Sequence, residues 1–296
     1  MNSFEEKIEP IAINGVRATF ANEKYGEHER NNFDVWLAKS NVPTPLVIYI
    51  HGGGFVGGDK SKYYDSKDLV RFLDAKISVA VINYRFMNDP PYGILASLND
   101  SKRCLQYIRY HSKIYNIDKN RIACAGGSAG AGTSLWLAFN NNMAESENDD
   151  PVLRESTRLT CAGAFATQST YDICKWSELL GLPKKEIARE KFEIARAFGF
   201  KSADNIDLLK ETKIRRELDF FNQMNKNSSP FFVSNKQVGG LPTNEDQLNH
   251  HPLHAKALKE RADKIGVEAI IYAPEIGIVD ESGKDVVEFF LDKFNR

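Results

Sequence analysis

The chain has 296 residues, 42% of them hydrophobic, enough to bury a full-sized core in one large α/β domain or two smaller ones. Its 39 Lys and Arg nearly cancel 40 Asp and Glu, so no global field favours nucleic acid or an anionic membrane, and small neutral ligands suit the balance better. No run of about 18 apolar residues occurs, and the first residues lack a charged segment followed by an apolar one. No membrane span is therefore expected, and the chain reads as soluble: cytoplasmic as it stands, or secreted or periplasmic were a signal peptide to precede it.

Residues 1–15 read as a polar lead-in, and 16–39 as two alternating stretches around a polar turn, the pattern of an antiparallel pair. "TPLVIYIHGGGF" (44–55) is a continuous apolar run bounded by Pro45 and a glycine cluster, as in a strand buried on both faces, and "ISVAVINYRF" (77–86) is another. Between them, 61–76 carries apolar residues at helical spacing. A helix over 91–115, a strand over 122–126, a helix after it and a strand over 158–167 continue the alternation, which implies right-handed βαβ units in a mainly parallel sheet. From 168 to about 227 charged helical stretches such as 184–200 replace strands, so this segment reads as a helical cap inserted into a single domain covering 1–296. The alternation resumes with "PFFVSN" (230–235), a glycine-containing loop, a helix over 252–266, a strand over 267–273 and a terminal helix over 283–295. The expected architecture is a mainly parallel central sheet flanked by helices, with the ligand site at the carboxyl ends of the strands.

Four cysteines, at 104, 124, 161 and 174, show no C-x-x-C spacing; Cys124 and Cys161 lie in apolar runs, so buried free thiols are expected. The chemistry concentrates at "IACAGGSAGAGTS" (122–134). Gly126-Gly127-Ser128-Ala129-Gly130 places a serine between small residues at a strand-to-helix turn, where a hydroxyl is exposed for nucleophilic attack. Upstream, His51-Gly52-Gly53-Gly54-Phe55 ends a strand, and a backbone without Cβ atoms can bring N–H donors to an oxygen that becomes negative.

These residues resemble the hormone-sensitive-lipase-like branch of the α/β-hydrolase superfamily, esterases and lipases that carry H-G-G-G upstream of G-x-S-A-G. The likeness is strong over about 40–140 and continues more weakly as matching strand and helix order. It implies an α/β-hydrolase fold in which Ser128 is the nucleophile, Gly53, Gly54 and Ala129 supply oxyanion-hole N–H groups, and His51 supports the glycine loop without acting as the base. It implies no cofactor; the expected ligand is a small ester or acyl compound.

The chain departs from that pattern at the other two catalytic positions. The family acid follows the next-to-last strand within a few residues, yet "KQVGGLP" after "PFFVSN" holds no carboxylate; the family histidine follows the last strand, yet Ile278 occupies its place in "YAPEIGIVDES". Of the six histidines, His28 and His111 read as surface residues and His51 belongs to the loop, leaving His250, His251 and His254 in "QLNHHPLHAKALKE". Pro252 suits the first turn of a helix, so His250 and His251 stand at its entrance, where a helix following a strand begins at the rim that carries Ser128. Either can be the base, with Glu245 or Asp246 as the orienting acid; alternatively both cap the helix or bind backbone, while His254 packs or faces solvent. The adjacent pair lacks a third ligand at convincing spacing, so no metal is expected. Glu275, Asp280 and Glu281 are poor bases for a serine at an ordinary carboxylate pKa. The residues thus support a serine hydrolase of carboxylic esters using a relocated histidine; the alternative is a hydrolase-fold protein that binds a small ligand or protein partner with impaired turnover.

Overall fold

The computed structural model describes residues 9–183, 191–202, 204 and 212–295. β1 (Phe20–Lys24) and β2 (Asn32–Trp36) form the expected antiparallel pair, followed by β3 (Thr44–Ile50), α1 (Lys67–Asp74), β4 (Ser78–Ile82), α2 (Ile94–Tyr110) and β5 (Ile117–Gly127). α3 (Ala129–Phe139) and β6 (Ala162–Phe165) come next. Short helices α4 (Trp176–Leu180), α5 (Lys191–Ala197), α6 (Lys213–Leu218) and α7 (Phe220–Gln223) lie between β6 and β7 (Phe231–Ser234). α8 (Glu245–Asn249), α9 (Leu253–Ile265), β8 (Ala269–Tyr272) and α10 (Val286–Phe294) complete the chain. Part of the helical stretch expected over 184–200, and part of 203–211 within the expected cap, lie outside the described residues.

The eight strands run in the order β1-β2-β4-β3-β5-β6-β7-β8; β2 pairs antiparallel with β4, and every later pairing is parallel. Every residue of β3 and β4 is buried, which is why both read as unbroken apolar runs rather than alternating ones. Alternation still decides which layer each side chain joins. Leu46, Ile48 and Ile50 pack with α2, α3 and α9 on one face, whereas Val47 and Tyr49 pack with Leu69 and Phe72 of α1 and Phe289 and Phe290 of α10 on the other. Each fully buried side chain of this size contributes about 1.5–3 kcal/mol.

The register aligns Ile50 with Gly126, Gly127 with Phe165, Phe165 with Ser234 and Ser234 with Tyr272, so these strand ends form one continuous rim. At that rim β3, β5 and α3 approach closely enough to exclude side chains: a Cβ on Gly130 would lie 1.8 Å from the Ile50 carbonyl oxygen. The small residues of the G-x-S-x-G pattern therefore answer a steric demand.

Two expectations change. Residues 9–18 pack against the body of the fold, with Ala12 buried and the Ile13 N–H donating to the Tyr64 carbonyl; they are no loose lead-in. Of the four free thiols, Cys104, Cys124 and Cys161 are buried but Cys174, in the turn just before α4, is exposed. Among the described residues no helix is long and apolar enough to cross a membrane.

Candidate active site

Ser128 sits between β5 and α3 with φ 52° and ψ −117°, a conformation that costs a non-glycine residue about 1–3 kcal/mol. The surroundings enforce it. Its N–H donates to the Phe165 carbonyl (2.9 Å), its carbonyl accepts from the Gly132 N–H (3.1 Å), and the Tyr63 hydroxyl accepts from the Gly127 N–H (3.0 Å) while donating to the Ile50 carbonyl (3.0 Å). Burial pushes the Tyr63 phenol up from its ordinary pKa, so it stays protonated for that second bond.

The glycine loop is fixed from behind by His51. Its Nδ1 lies 2.7 Å from the Gly52 carbonyl oxygen, its ring stacks on Tyr84 (4.3 Å between centroids), and its Nε2 lies 3.3 Å from an Arg30 Nη. Burial lowers its pKa to about 4, so the ring is neutral at pH 7 and, with Arg30 donating to Nε2, carries its proton on Nδ1. Because the Gly52 carbonyl faces His51, the Gly53 N–H across the same trans peptide faces the other way. Gly53 itself has φ 120°, open to glycine. Arg30 also donates to the carbonyls of Tyr84 (2.9 Å) and Gly58 (2.8 Å) and lies over the Phe86 ring. Neither Arg30 nor Tyr63 could be singled out in the sequence, since each acts on a segment distant along the chain.

Of the candidate histidines, the fold brings His250 to the serine. Its Nε2 is 2.7 Å from the Ser128 Oγ, and its Nδ1 is 3.0 Å from Oδ1 of Asp246, one turn earlier at the i, i+4 spacing of a helix. The His250 side chain is 17% exposed and that of Asp246 80% exposed. His251 does not reach Ser128: it is buried, its Nε2 donates to the Gly240 carbonyl (2.8 Å), and its Nδ1 accepts from the Leu253 N–H (3.2 Å), capping the first turn of α9. Glu245 is set apart from Asp246 in the same way; it lines the cavity in front of Ser128, while Asp246 is the carboxylate at His250.

The other histidines have their own partners. His254 is fully buried, accepting at Nδ1 from the Ser169 N–H (3.1 Å) and packing edge-on against Trp176. His28 lies 3.6 Å from Asp89 and His111 packs against Tyr107 and Tyr110, each half-buried rather than on the open surface. Ile278 closes a tight hairpin, its N–H and carbonyl both bonded to Ala273 (3.1 and 2.7 Å), and its side chain packs on the core. The loop that carries the family histidine is thus sealed here. Among the described residues no group of three or more His, Cys, Asp or Glu could hold a metal ion.

In front of Ser128, Gly54 and Ala129 lies a cavity of about 230 Å³. Phe55, Met87, Ile94, Tyr171 and Trp176 form its apolar wall; Gln168, Glu193, Arg196 and Asn249 add polar groups. Tyr171 also fastens the segment after β6 to α3, its hydroxyl donating to the Ala129 carbonyl (2.5 Å). As the first residue of α3, Ala129 has a backbone N–H with no intrahelical acceptor. A larger concavity of about 520 Å³ around Arg109, Lys113 and Arg121 touches Ile117, at the opposite end of β5 from Ser128. It holds none of these groups.

Comparison with known proteins sets this geometry in context. The family model BD-FAE matches residues 33–236, a span that includes the glycine loop and Ser128 but ends before Asp246 and His250. Esterase LipI of Mycobacterium tuberculosis is 35% identical over 94 residues, 32% of this chain and 28% of that protein. The acetyl esterase of Salmonella schwarzengrund is 22% identical over 262 residues, 83% of this chain and 72% of that protein. Among solved structures, the acetyl ester-xyloside bifunctional hydrolase from Caldicellulosiruptor lactoaceticus superposes with a TM-score of 0.60 at 20% identity, covering 88% of this chain and 84% of its own.

Proposed function

The chain belongs to the BD-FAE family, a carboxylesterase-type hydrolase with the α/β-hydrolase fold, and from that premise we propose that it cleaves small carboxylic esters through a Ser128–His250–Asp246 triad. The observation that carries the reading is the 2.7 Å contact between the Ser128 Oγ and the His250 Nε2, backed by the 3.0 Å contact between Nδ1 and Asp246. In the active tautomer Nδ1 carries a hydrogen toward Asp246 and Nε2 presents its lone pair to the serine hydroxyl.

The Ser128 Oγ attacks the ester carbonyl as its proton passes to Nε2. The carbonyl oxygen, now negative, accepts from the N–H groups of Gly53, Gly54 and Ala129. Collapse of the tetrahedral adduct breaks the bond to the alcohol, which leaves with the proton from Nε2. Water then attacks the acyl-serine with Nε2 again taking a proton, the acid departs, and Ser128 regains its hydrogen. The described residues within 168–227 act as a cap on a single catalytic domain, with Tyr171, Trp176 and Ala197 lining the cavity. At about 230 Å³ that cavity falls below the 300–1,000 Å³ of pockets for drug-sized ligands, which supports a short acyl group.

The test is hydrolysis of p-nitrophenyl acetate by the protein beside identically prepared Ser128→Ala and His250→Ala. Removal of either member is expected to lower kcat by about 10⁴–10⁶-fold. A His250→Ala variant that keeps the parental rate overturns the assignment of the base.

A further inference from the structure

We propose that Asn235 and Gln168 are positioning residues that hold His250 against Ser128 by fastening the last carbonyls of the α8 corner. The inference rests on the triad reading above and adds to it the source of the histidine's fixed position. α8 has five residues, too few to be stable on its own, and the carbonyls at a helix end have no intrahelical partner. Two side-chain amides from distant segments meet two of them. Asn235 Nδ2 donates to the His250 carbonyl (2.9 Å), and Gln168 Nε2 donates to the Asn249 carbonyl (2.8 Å).

Both amides are buried and stand on the frame that holds the nucleophile. Asn235 directly follows β7; its backbone N–H donates to the Tyr272 carbonyl (2.8 Å), and its Oδ1 accepts from the Gln237 N–H (2.9 Å), which leaves Nδ2 facing the histidine's carbonyl. Gln168 follows β6 after Ala166, a non-glycine residue at φ 50° whose N–H donates to the Ser234 carbonyl. The Ser128 N–H donates to the Phe165 carbonyl in the same row of the sheet. Elbow and histidine corner are therefore bolted to adjacent strand ends, Phe165 and Ser234. The end of the next-to-last strand thus supports the histidine through an amide.

Since a displacement of about 1 Å can cost on the order of 10²-fold in rate, loss of either amide acts on kcat through the position of His250. The experiment measures kcat and KM for p-nitrophenyl acetate in Asn235→Leu, Asn235→Asp and Gln168→Met, each also combined with His250→Ala, after thermal melts establish which variants fold. The Asn235→Asp variant keeps the side-chain shape while removing the donor, so the question stays open to test even where Asn235→Leu does not fold. In the parental background each change is expected to lower kcat by about 10–100-fold, with KM within about twofold for the Asn235 variants, whose side chain does not line the cavity. In the His250→Ala background the same change is expected to move the residual rate less than about twofold, because no base remains to be positioned. An equal loss in both backgrounds, or an unchanged kcat in the folded single variants, overturns the proposal. Should His250→Ala itself be fully active, the triad reading falls with it, an outcome distinct from an inactive His250→Ala beside active Asn235 and Gln168 variants.

Discussion

In the proposed triad the acid is the weak member, and Asp246→Ala measures how weak. Its carboxylate is 3.0 Å from the His250 Nδ1, but the Asp246 side chain is 80% exposed, so water competes for both partners. Exposed ion pairs and charged contacts of this kind contribute about 0.2–1 kcal/mol. Through the exponential dependence of rate on barrier, that range corresponds to roughly a 1.4- to 5-fold loss in kcat. A buried triad aspartate, by contrast, is worth about 10⁴-fold, because its removal leaves the imidazole in the wrong tautomer with no solvent to restore it. In Asp246→Ala, water can accept from Nδ1–H in the carboxylate's place. The assay is steady-state hydrolysis of p-nitrophenyl acetate at low and high salt, with the gap between parent and variant narrowing as salt screens the exposed charge. A loss above about 10³-fold would refute the reasoning, since a charge coupled that strongly must be desolvated during turnover.

The remaining predictions concern His51, His251, Gly130 and the acyl cavity. His51 titrates near 4 in the fold against about 6.5 unfolded, so between those values the unfolded chain binds the additional proton. The His51 contribution is full above pH 6.5 and falls by about 3 kcal/mol as pH drops to 4; thermal melts should show the slope of stability with pH reduced in His51→Gln, and an unchanged slope would exclude His51 as a source. His251→Gln removes a helix cap and is expected to cost about 1 kcal/mol of stability while kcat stays within a few-fold, opposite to His250→Gln; a collapse of kcat in a folded His251→Gln contradicts the geometry. Gly130→Ala would drive a Cβ to 1.8 Å from the Ile50 carbonyl oxygen and should abolish folded, active protein, whereas Gly57→Ala enters open space and should fold normally. Finally, kcat/KM should fall from p-nitrophenyl acetate or butyrate to the decanoate, and a decanoate preference would mean that the cavity of about 230 Å³ is not the acyl site.

The parallel sheet was legible because its strands are apolar runs separated by helical spacing, and the Ser128 elbow because its small residues satisfy a local steric demand. Counting six histidines narrowed the search to one corner of the chain. It could not separate His250 from His251, since both precede Pro252 and only the turn between α8 and α9 sends one ring to Ser128 and the other to Gly240. The four-residue spacing from Asp246 to His250 is a helical signal, but α8 is a five-residue turn in a stretch that reads as a glycine-containing loop. Arg30, Tyr63, Asn235 and Gln168 were illegible for another reason: each holds a backbone group far away in sequence, and a single chain carries no local trace of that pairing.

These particulars explain how a histidine can leave its usual strand without loss of the constellation. The chemistry constrains where Nε2 sits relative to the Ser128 Oγ, not which loop delivers it. With the turn after β8 closed between Ala273 and Ile278, the connection after β7 is one strand closer to β5 and opens on the same rim. In the proposed triad, acid and base come from one short helix and the residue that caps it, so helix geometry alone fixes their mutual spacing, at the expense of an exposed Asp246. Orientation must then come from elsewhere, and the buried amides of Asn235 and Gln168 are the groups placed to supply it. The two assignments imply an ordering that neither gives separately: removing a neutral amide that touches no reacting atom should slow turnover more than removing the charged member of the proposed triad.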